Sequence, residues 1–309
     1  MKLFKKLLSV GVVALMIVLV GCSEPTNSTE REEIYVTTTI AQIADAVRNV
    51  GGENVKVDSL MGPGIDPHLY RASQGDISKL MEADIIFYNG LHLEGKMGDI
   101  LENMSKEKPT IAVGESIPTN LLLEDEDDAT MPDPHVWFDI QLWTYVVETI
   151  KDSLIELDEE NAATYEANAK AYLDELEELH EWAVNEISSI PEESRVLITA
   201  HDAFQYFGKA YNIEVMGLQG LSTDAEYGLH DVRALIEVIT SRNIKAVFVE
   251  SSISDESITA VVEGAKSRGH DLVIGGELYS DAMGEAGTDQ GTYIGMFKHN
   301  IRTIVNALK

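Results

Sequence analysis

Apolar positions along the chain fall into short β-branched runs that alternate with stretches of helical spacing. Ile34-Tyr35-Val36-Thr37-Thr38-Thr39 predicts a strand. From Ile40 to Val50 the apolar residues Ile40, Ile43, Ala44 and Val47 recur at helical intervals, and Gly51-Gly52 ends the segment. Val55 to Met61 predicts a second strand, Asp76 to Met81 a short helix, Ile85 to Tyr88 a third strand and Thr110 to Val113 a fourth. Asp139 to Leu157 is helical in spacing, with Leu142, Tyr145, Val146, Thr149, Ile150 and Leu154 on one side. A longer helix is predicted from near Asp158, its N-cap candidate. Its apolar residues Tyr165, Ala169, Tyr172, Leu176, Leu179, Ala183 and Ile187 follow in steps of 4, 3, 4, 3, 4 and 4, and Pro191 bounds the far end. About 30 residues at 1.5 Å each would reach roughly 45 Å, so this helix reads as a rigid spine between two halves.

The second half repeats the alternation. Val196 to Ala200 predicts a strand leading to His201, Phe204 to Tyr211 a helix, and Glu214 to Leu218 a strand. A helix from Gly228 to Ser241 precedes the strand Ala246 to Val249, which leads to Glu250. Ile258 to Lys266 is helical, Leu272-Val273-Ile274 extended, and a glycine-rich loop to Gly291 precedes a last helix ending at Leu308. Strands alternating with helices predict an α/β fold with parallel sheets covered on both faces. The expected organisation is a first βα lobe over 34–157, the linking helix over 158–190 and a second βα lobe over 191–309.

The chain has 309 residues, 44% of them hydrophobic, enough for a substantial core. Its start has the form of an export signal: Lys2, Lys5 and Lys6 precede the apolar run Leu7 to Val20, too short to span a bilayer comfortably. The run closes in Leu19-Val20-Gly21-Cys22, which resembles a bacterial lipobox. That resemblance implies removal of 1–21, acylation of Cys22 and a flexible tether over 22–33. Cys22 is the one cysteine in the chain, so no intrachain disulfide forms and no thiolate cluster holds metal. The formal charge of -30 becomes -33 (-30 minus 3) without the three leader lysines. Such a field repels nucleic acid and gathers cations, and no nucleic-acid partner is expected. The run Glu124-Asp125-Glu126-Asp127-Asp128 reads as a solvated loop, with a weak cation funnel beside His135 as its functional alternative.

The candidate chemistry lies where predicted strands end. Asp66-Pro67-His68-Leu69-Tyr70 is echoed by Asp133-Pro134-His135-Val136-Trp137. His201 ends a third apolar run, and Asp281 follows a fourth. The ends of parallel strands are where such folds collect ligands. Three neutral imidazoles and one carboxylate suit a divalent cation: zinc, or manganese or iron if the carboxylate is bidentate. Pro67 and Pro134 stiffen the backbone beside two of the imidazoles. Glu250, His92 and Trp137 are candidates for support around the site, with Trp137 and Tyr70 expected to pack there and limit water. The remaining histidines, His180, His230, His270 and His299, read as surface or capping residues. Ordinary imidazoles would make affinity fall as pH drops through about 6.

The segments PHLY, NGLHLEGKM, DPHVWFD, TAHDAFQYFGKAY, GLQGLSTDAEYG, AVFVESSISD and GGELYSDAMGEAGTDQGTYIGMFKHN resemble the metal-binding lipoproteins of bacterial ABC importers for manganese and zinc, the TroA-like periplasmic metal-binding family. The resemblance covers essentially the whole mature chain. It implies two βα lobes, each with a four-stranded parallel sheet, joined by one long helix, with metal at the lobe interface. It places the family's ligands on His68, His135, His201 and Asp281. Some manganese members carry glutamate at the third position, whereas the tail from Gly275 to Asn300 and the lack of a histidine-rich loop resemble the manganese branch. The implied function is an exported, lipid-anchored, monomeric receptor on the extracellular or periplasmic face. It would pass Mn²⁺, or alternatively Zn²⁺ or Fe²⁺, to an ABC permease. The alternative from another class is a secreted metal-dependent hydrolase, for which Glu250 is the candidate base.

Overall fold

The computed structural model describes residues 33–124, 131–224 and 227–309. The predicted leader, Cys22 and nearly all of the tether lie outside the described residues, as do residues 125–128 of the acidic run.

In the first half, β1 (Ile34–Thr38), β2 (Val55–Ser59), β3 (Ile85–Tyr88) and β4 (Thr110–Ala112) form a four-stranded parallel sheet in the order β2-β1-β3-β4. The register places Val36 between Val57 and Ile85, in the buried centre. The crossovers run through α1 (Ala41–Gly51), α2 (Gln74–Glu82) and α3 (Gly98–Ser105), so all four carboxyl ends share one edge. A capping box starts α2 earlier than the apolar pattern predicts: Ser73 Oγ accepts from the Asp76 N–H, and Asp76 Oδ2 from the Ser73 N–H. Helix α3 has no counterpart in the sequence reading, because Leu101 is its one buried residue and a lone position has no period.

Helix α4 (Ile140–Leu157) starts at Asp139, whose carboxylate accepts from the Gln141 and Leu142 N–H groups. The long helix, α5 (Ala162–Ser188), has 27 residues and buries Tyr165, Ala169, Tyr172, Leu176, Leu179, Ala183 and Ile187, the seven positions its periodicity marked. Asp158 is not its N-cap. A 3₁₀ turn, Glu159–Asn161, intervenes, and the Asp158 carboxylate accepts from Asn161 Nδ2 at 2.6 Å and the Tyr165 hydroxyl at 2.9 Å. Helix α5 packs on α1, α4 and, in the second half, α6 (Gln205–Tyr211) and α9 (Tyr293–Leu308). One large cluster runs from Val36 to Leu308 and includes its buried face.

The second-half strands β5 (Val196–His201), β6 (Glu214–Gln219), β7 (Ala246–Glu250) and β8 (Val273–Leu278) form two parallel pairs, β5-β6 and β7-β8, rather than one four-stranded sheet. β5 and β7 lie side by side, but Glu250 Oε1 takes the His201 N–H at 2.8 Å, removing that donor from any ladder. Helices α7 (Leu229–Arg242) and α8 (Glu256–Ser267) enclose a smaller core with Ile198, Val247 and Leu272. Strand β8 continues to Leu278, past the predicted stop at Ile274, through Gly275 and Gly276. A Cβ on Gly275 would sit 2.7 Å from Ala307 Cβ and 2.8 Å from Phe248 Cε1, so this glycine lets α9 lie directly against the strand. Among the described residues no helix is long and apolar enough to cross a membrane.

Candidate metal centre

The two Asp-Pro-His segments fold alike but are used differently. Asp66 Oδ1 accepts the His68 N–H, and Asp133 Oδ1 accepts the His135 N–H, each at 2.9 Å. Asp133 Oδ1 also lies 2.8 Å from His135 Nδ1 and so orients the ring. Asp66 instead turns its second oxygen to the hydroxyl of Thr223, 2.6 Å away in the second half. His135 does not follow a strand: an isolated bridge, Glu124 with Pro132, precedes it, and the 3₁₀ turn Val136–Phe138 follows. His201 is the last residue of β5, and Asp281 lies just beyond the end of β8.

The four candidate ligands converge. His68, His135, His201 and Asp281 are all buried, and one ligand atom from each lies within 4.8 Å of the others. The Nε2 atoms of His68 and His135 are 3.4 Å apart. Asp281 Oδ1 is 3.4 Å from His135 Nε2, and Oδ2 is 3.3 Å from His201 Nε2 and 3.7 Å from His68 Nε2. Ligands about 2.1 Å from a central ion, arranged tetrahedrally, lie about 3.4 Å from one another. The observed separations fit that spacing, and both carboxylate oxygens face the imidazoles, which makes five donor atoms available. Neither Asp281 oxygen has a hydrogen-bond partner although both are buried. Such a carboxylate is costly unless a cation satisfies it.

Neighbouring groups hold each donor in place. Glu250 Oε2 lies 2.5 Å from His201 Nδ1, leaving Nε2 to face the pocket. The Asp281 backbone carbonyl accepts from Gln42 Nε2 at 3.1 Å, and that of Ser280 from the Trp137 indole at 3.1 Å. Trp137 also meets the His135 ring edge-on, with centroids 5.3 Å apart, while Tyr293 donates to the Trp137 carbonyl at 2.6 Å. Tyr70 serves elsewhere, donating to Asp76 at the start of α2. His92 is exposed and lines the cleft that His68 also lines.

Gln42 carries no distinct signal as a partner in the sequence. For Asp66 and Asp133 a cue existed, since an aspartate two residues before a histidine favours this turn. Of the remaining histidines, His180 meets the Tyr211 hydroxyl, while His270 and His299 meet the carbonyls of Ile244 and Glu277, and His230 is exposed at the start of α7.

The electrostatics are uneven. Burial lowers the His68 pKa to about 3. Burial opposes charge on His135 too, but Asp133 at Nδ1 and Asp281 at Nε2 overcome it and raise its pKa to about 9. His201 is likewise raised well above 6.5, against burial, by Glu250 and Asp281. Burial would raise Asp281, yet His201 and His135 hold it well below the usual carboxylate range. The expected fall in affinity through about pH 6 is therefore displaced upward: two of the rings must lose protons well above pH 6.5 before they can ligate.

Residues 36–307 match the family described as zinc-uptake complex component A, periplasmic. The chain is 55% identical to the manganese-binding lipoprotein MntA of Bacillus subtilis (strain 168), over 94% of this chain and 95% of that one. It is 47% identical to the zinc-binding protein TroA of Treponema pallidum (strain Nichols), over 88% of each. The solved structure of the periplasmic zinc-binding protein TroA from Treponema pallidum superposes with a TM-score of 0.87 at 47% identity, covering 89% of this chain and 99% of that one. The Fe(III)-bound YtgA structure from Chlamydia trachomatis follows the same fold with a TM-score of 0.80 at 30% identity, covering 89% and 98%.

Proposed function

The chain belongs to the family of periplasmic zinc-uptake complex component A, and from that premise we propose that it captures Mn²⁺ outside the cytoplasm and delivers it to an ABC permease for import. It is a solute receptor, not an enzyme. One observation carries the reading: three imidazole Nε2 atoms and two carboxylate oxygens that make no hydrogen bond converge in a buried pocket with the spacing of a coordination shell. His68, His135, His201 and Asp281 are the ligands. Asp133 and Glu250 orient two of the rings, and Trp137 buttresses the pocket. Residues 34–157 and 191–309 act as the two lobes and 158–190 as the helix between them. The receptor works as an exported monomer tethered through a lipid on Cys22, with its net negative charge concentrating cations near the membrane surface.

Manganese is favoured by the 55% identity to a protein named for manganese binding, and by the inward turn of both Asp281 oxygens, since carboxylate donors suit this ion. Zinc is the second reading, favoured by the three imidazoles and by the zinc-binding name of the TroA relative. A hydrolase would need a water-activating base and an open coordination position. Glu250, the base that reading relied on, is engaged with the His201 ring and backbone, and the four ligands are at most 4% exposed.

The test is to titrate the metal-stripped mature chain with Mn²⁺ and then challenge it with buffered Zn²⁺. Stoichiometric, submicromolar Mn²⁺ binding supports the manganese reading even where zinc displaces the ion, because nitrogen-rich sites favour zinc intrinsically. Tight Zn²⁺ binding without Mn²⁺ binding moves the cargo to zinc. Binding of neither overturns the receptor.

A further inference from the structure

A cleft of about 290 Å³ borders the metal pocket, lined among others by His68, His92, Lys96, Pro134, Leu221 and Asp224. Of the four converging residues, His68 alone lines it. His135 and His201 are fully buried and Asp281 is 2% exposed, so of the four it is His68 that joins the pocket to this cleft.

Among the described residues, one bond spans this cleft between residues that line it, and a second joins the two halves at positions near lining residues in the sequence. Lys96 Nζ meets Asp224 Oδ2 at 2.7 Å. Thr223 Oγ1 donates to Asp66 Oδ2 at 2.6 Å, and the other oxygen of Asp66 holds the His68 backbone. The same short segment of the second half therefore grips both the rim of the cleft and the turn that carries His68.

The placement of Lys96 is built into the chain. Gly90, Leu91 and His92 all adopt left-handed backbone, with φ of 75°, 52° and 66°. Side chains rarely take that conformation, and two in succession need outside support. Glu94 supplies it: buried, it accepts from the Asn89 N–H at 2.8 Å, the Gly90 N–H at 3.1 Å and the Thr39 hydroxyl at 2.6 Å. This constrained turn, within the segment NGLHLEGKM, brings a lysine to the mouth of a cation site. There an unpaired ammonium would repel an incoming dication, whereas paired with Asp224 its field is largely cancelled.

Resting on the metal-receptor reading, we propose that Lys96–Asp224 and Thr223–Asp66 form a clasp across the mouth of the site that sets the rate at which the ion enters and leaves. Thr223 is a positioning residue that acts on His68 through Asp66. Lys96 and Asp224 touch no ligand atom and act by bridging the exit.

The test loads the full mature chain with Mn²⁺ and follows release into excess chelator by stopped flow, for wild type, K96M, D224N, the charge exchange K96D/D224K, T223V and T223S. Each variant is expected to hold one ion per chain. K96M and D224N should release it about 2- to 5-fold faster, the range set by the modest strength of a partly exposed pair. Release from wild type should quicken with added salt and that from K96M should not. K96D/D224K should return towards the wild-type rate, and T223S, which keeps the hydroxyl, should release more slowly than T223V. A merely structural role for these residues would produce neither the salt dependence nor the rescue. Loaded variants with wild-type rates, or a charge exchange as fast as the single variants, overturn the clasp alone. A wild-type chain that holds no ion overturns the receptor reading and the clasp with it.

Discussion

Glu250 grips His201 at two points, accepting its backbone N–H on Oε1 at 2.8 Å and facing its ring Nδ1 with Oε2 at 2.5 Å. One carboxylate thus fixes both the end of β5 and the direction of the imidazole. It also directs Nε2, rather than Nδ1, into the pocket. Removing its charge while keeping its shape isolates the effect on the ring. Glu250→Gln is expected to lower metal affinity about 10- to 100-fold, the usual cost of losing a carboxylate behind a ligating histidine. Asp133→Asn should do the same through His135. Competition against a chelator of known affinity measures both, and wild-type affinity in either variant would mean that the carboxylate does not orient the ring.

The pH response follows from the same carboxylates. His135 is raised to about 9 in the metal-free fold, and His201 is shifted in the same direction. A raised histidine stabilises the metal-free protein fully below its unfolded pKa, near 6.5, and that contribution is lost as pH rises through the folded value. Metal needs both rings neutral, so capture must expel the protons that provide this stability. His68, held near 3, is neutral throughout this range and releases none. Affinity should therefore keep climbing from about pH 6.5 to about 9, and the melting-temperature gap between loaded and stripped protein should widen across the same interval. Calorimetry in buffers of different ionisation enthalpy should show about two protons released near pH 7. An affinity that levels off above about pH 7 would mean that His135 and His201 titrate as ordinary imidazoles.

What the sequence reveals here depends on whether a residue's job repeats along the chain or is performed across it. The buried face of α5 was legible in full because seven positions share one helical period and all face the same core. The four converging candidate residues are legible because each follows an apolar run or sits in a repeated Asp-Pro-His turn. By contrast, Gln42, which holds the Asp281 carbonyl from a helix 239 residues away, has no local signature, and neither has Thr223 on Asp66. Helix α3 has no second buried position to give it a period, and the glycines of β8 read as a turn although the strand runs through them.

Those glycines make a sharp stability test. Gly275 lies in β8 with Ala307 and Phe248 closer than a Cβ tolerates, and both neighbours belong to packed elements. Gly275→Ala must push α9 off the strand or distort β7. The expected cost is about 1–3 kcal/mol of overpacking strain. It should read as a lower urea midpoint at an unchanged slope. A midpoint equal to wild type would show that α9 can shift freely on β8.

The packing of α5 argues against large lobe closure when metal binds. A hinge between the halves would have to move α9, which belongs to the same core as α1 and α5. Asp45 on α1 accepts from Tyr172 on α5 at 3.3 Å and from the Tyr293 N–H of α9 at 3.1 Å. Trp143 of α4 stacks on Tyr293 with centroids 5.3 Å apart and planes 7° from parallel. Rotating one half against the other would strain these buried contacts together, and close-packed interiors do not deform continuously. Capture and release are then left to smaller shifts at the mouth, where the Lys96–Asp224 pair is partly exposed. Solution scattering from stripped and metal-loaded protein should superimpose, while hydrogen exchange around His68 and Thr223 slows on loading. A resolvable drop in radius of gyration on adding metal would show that the halves do hinge and that α5 bends or slides to allow it.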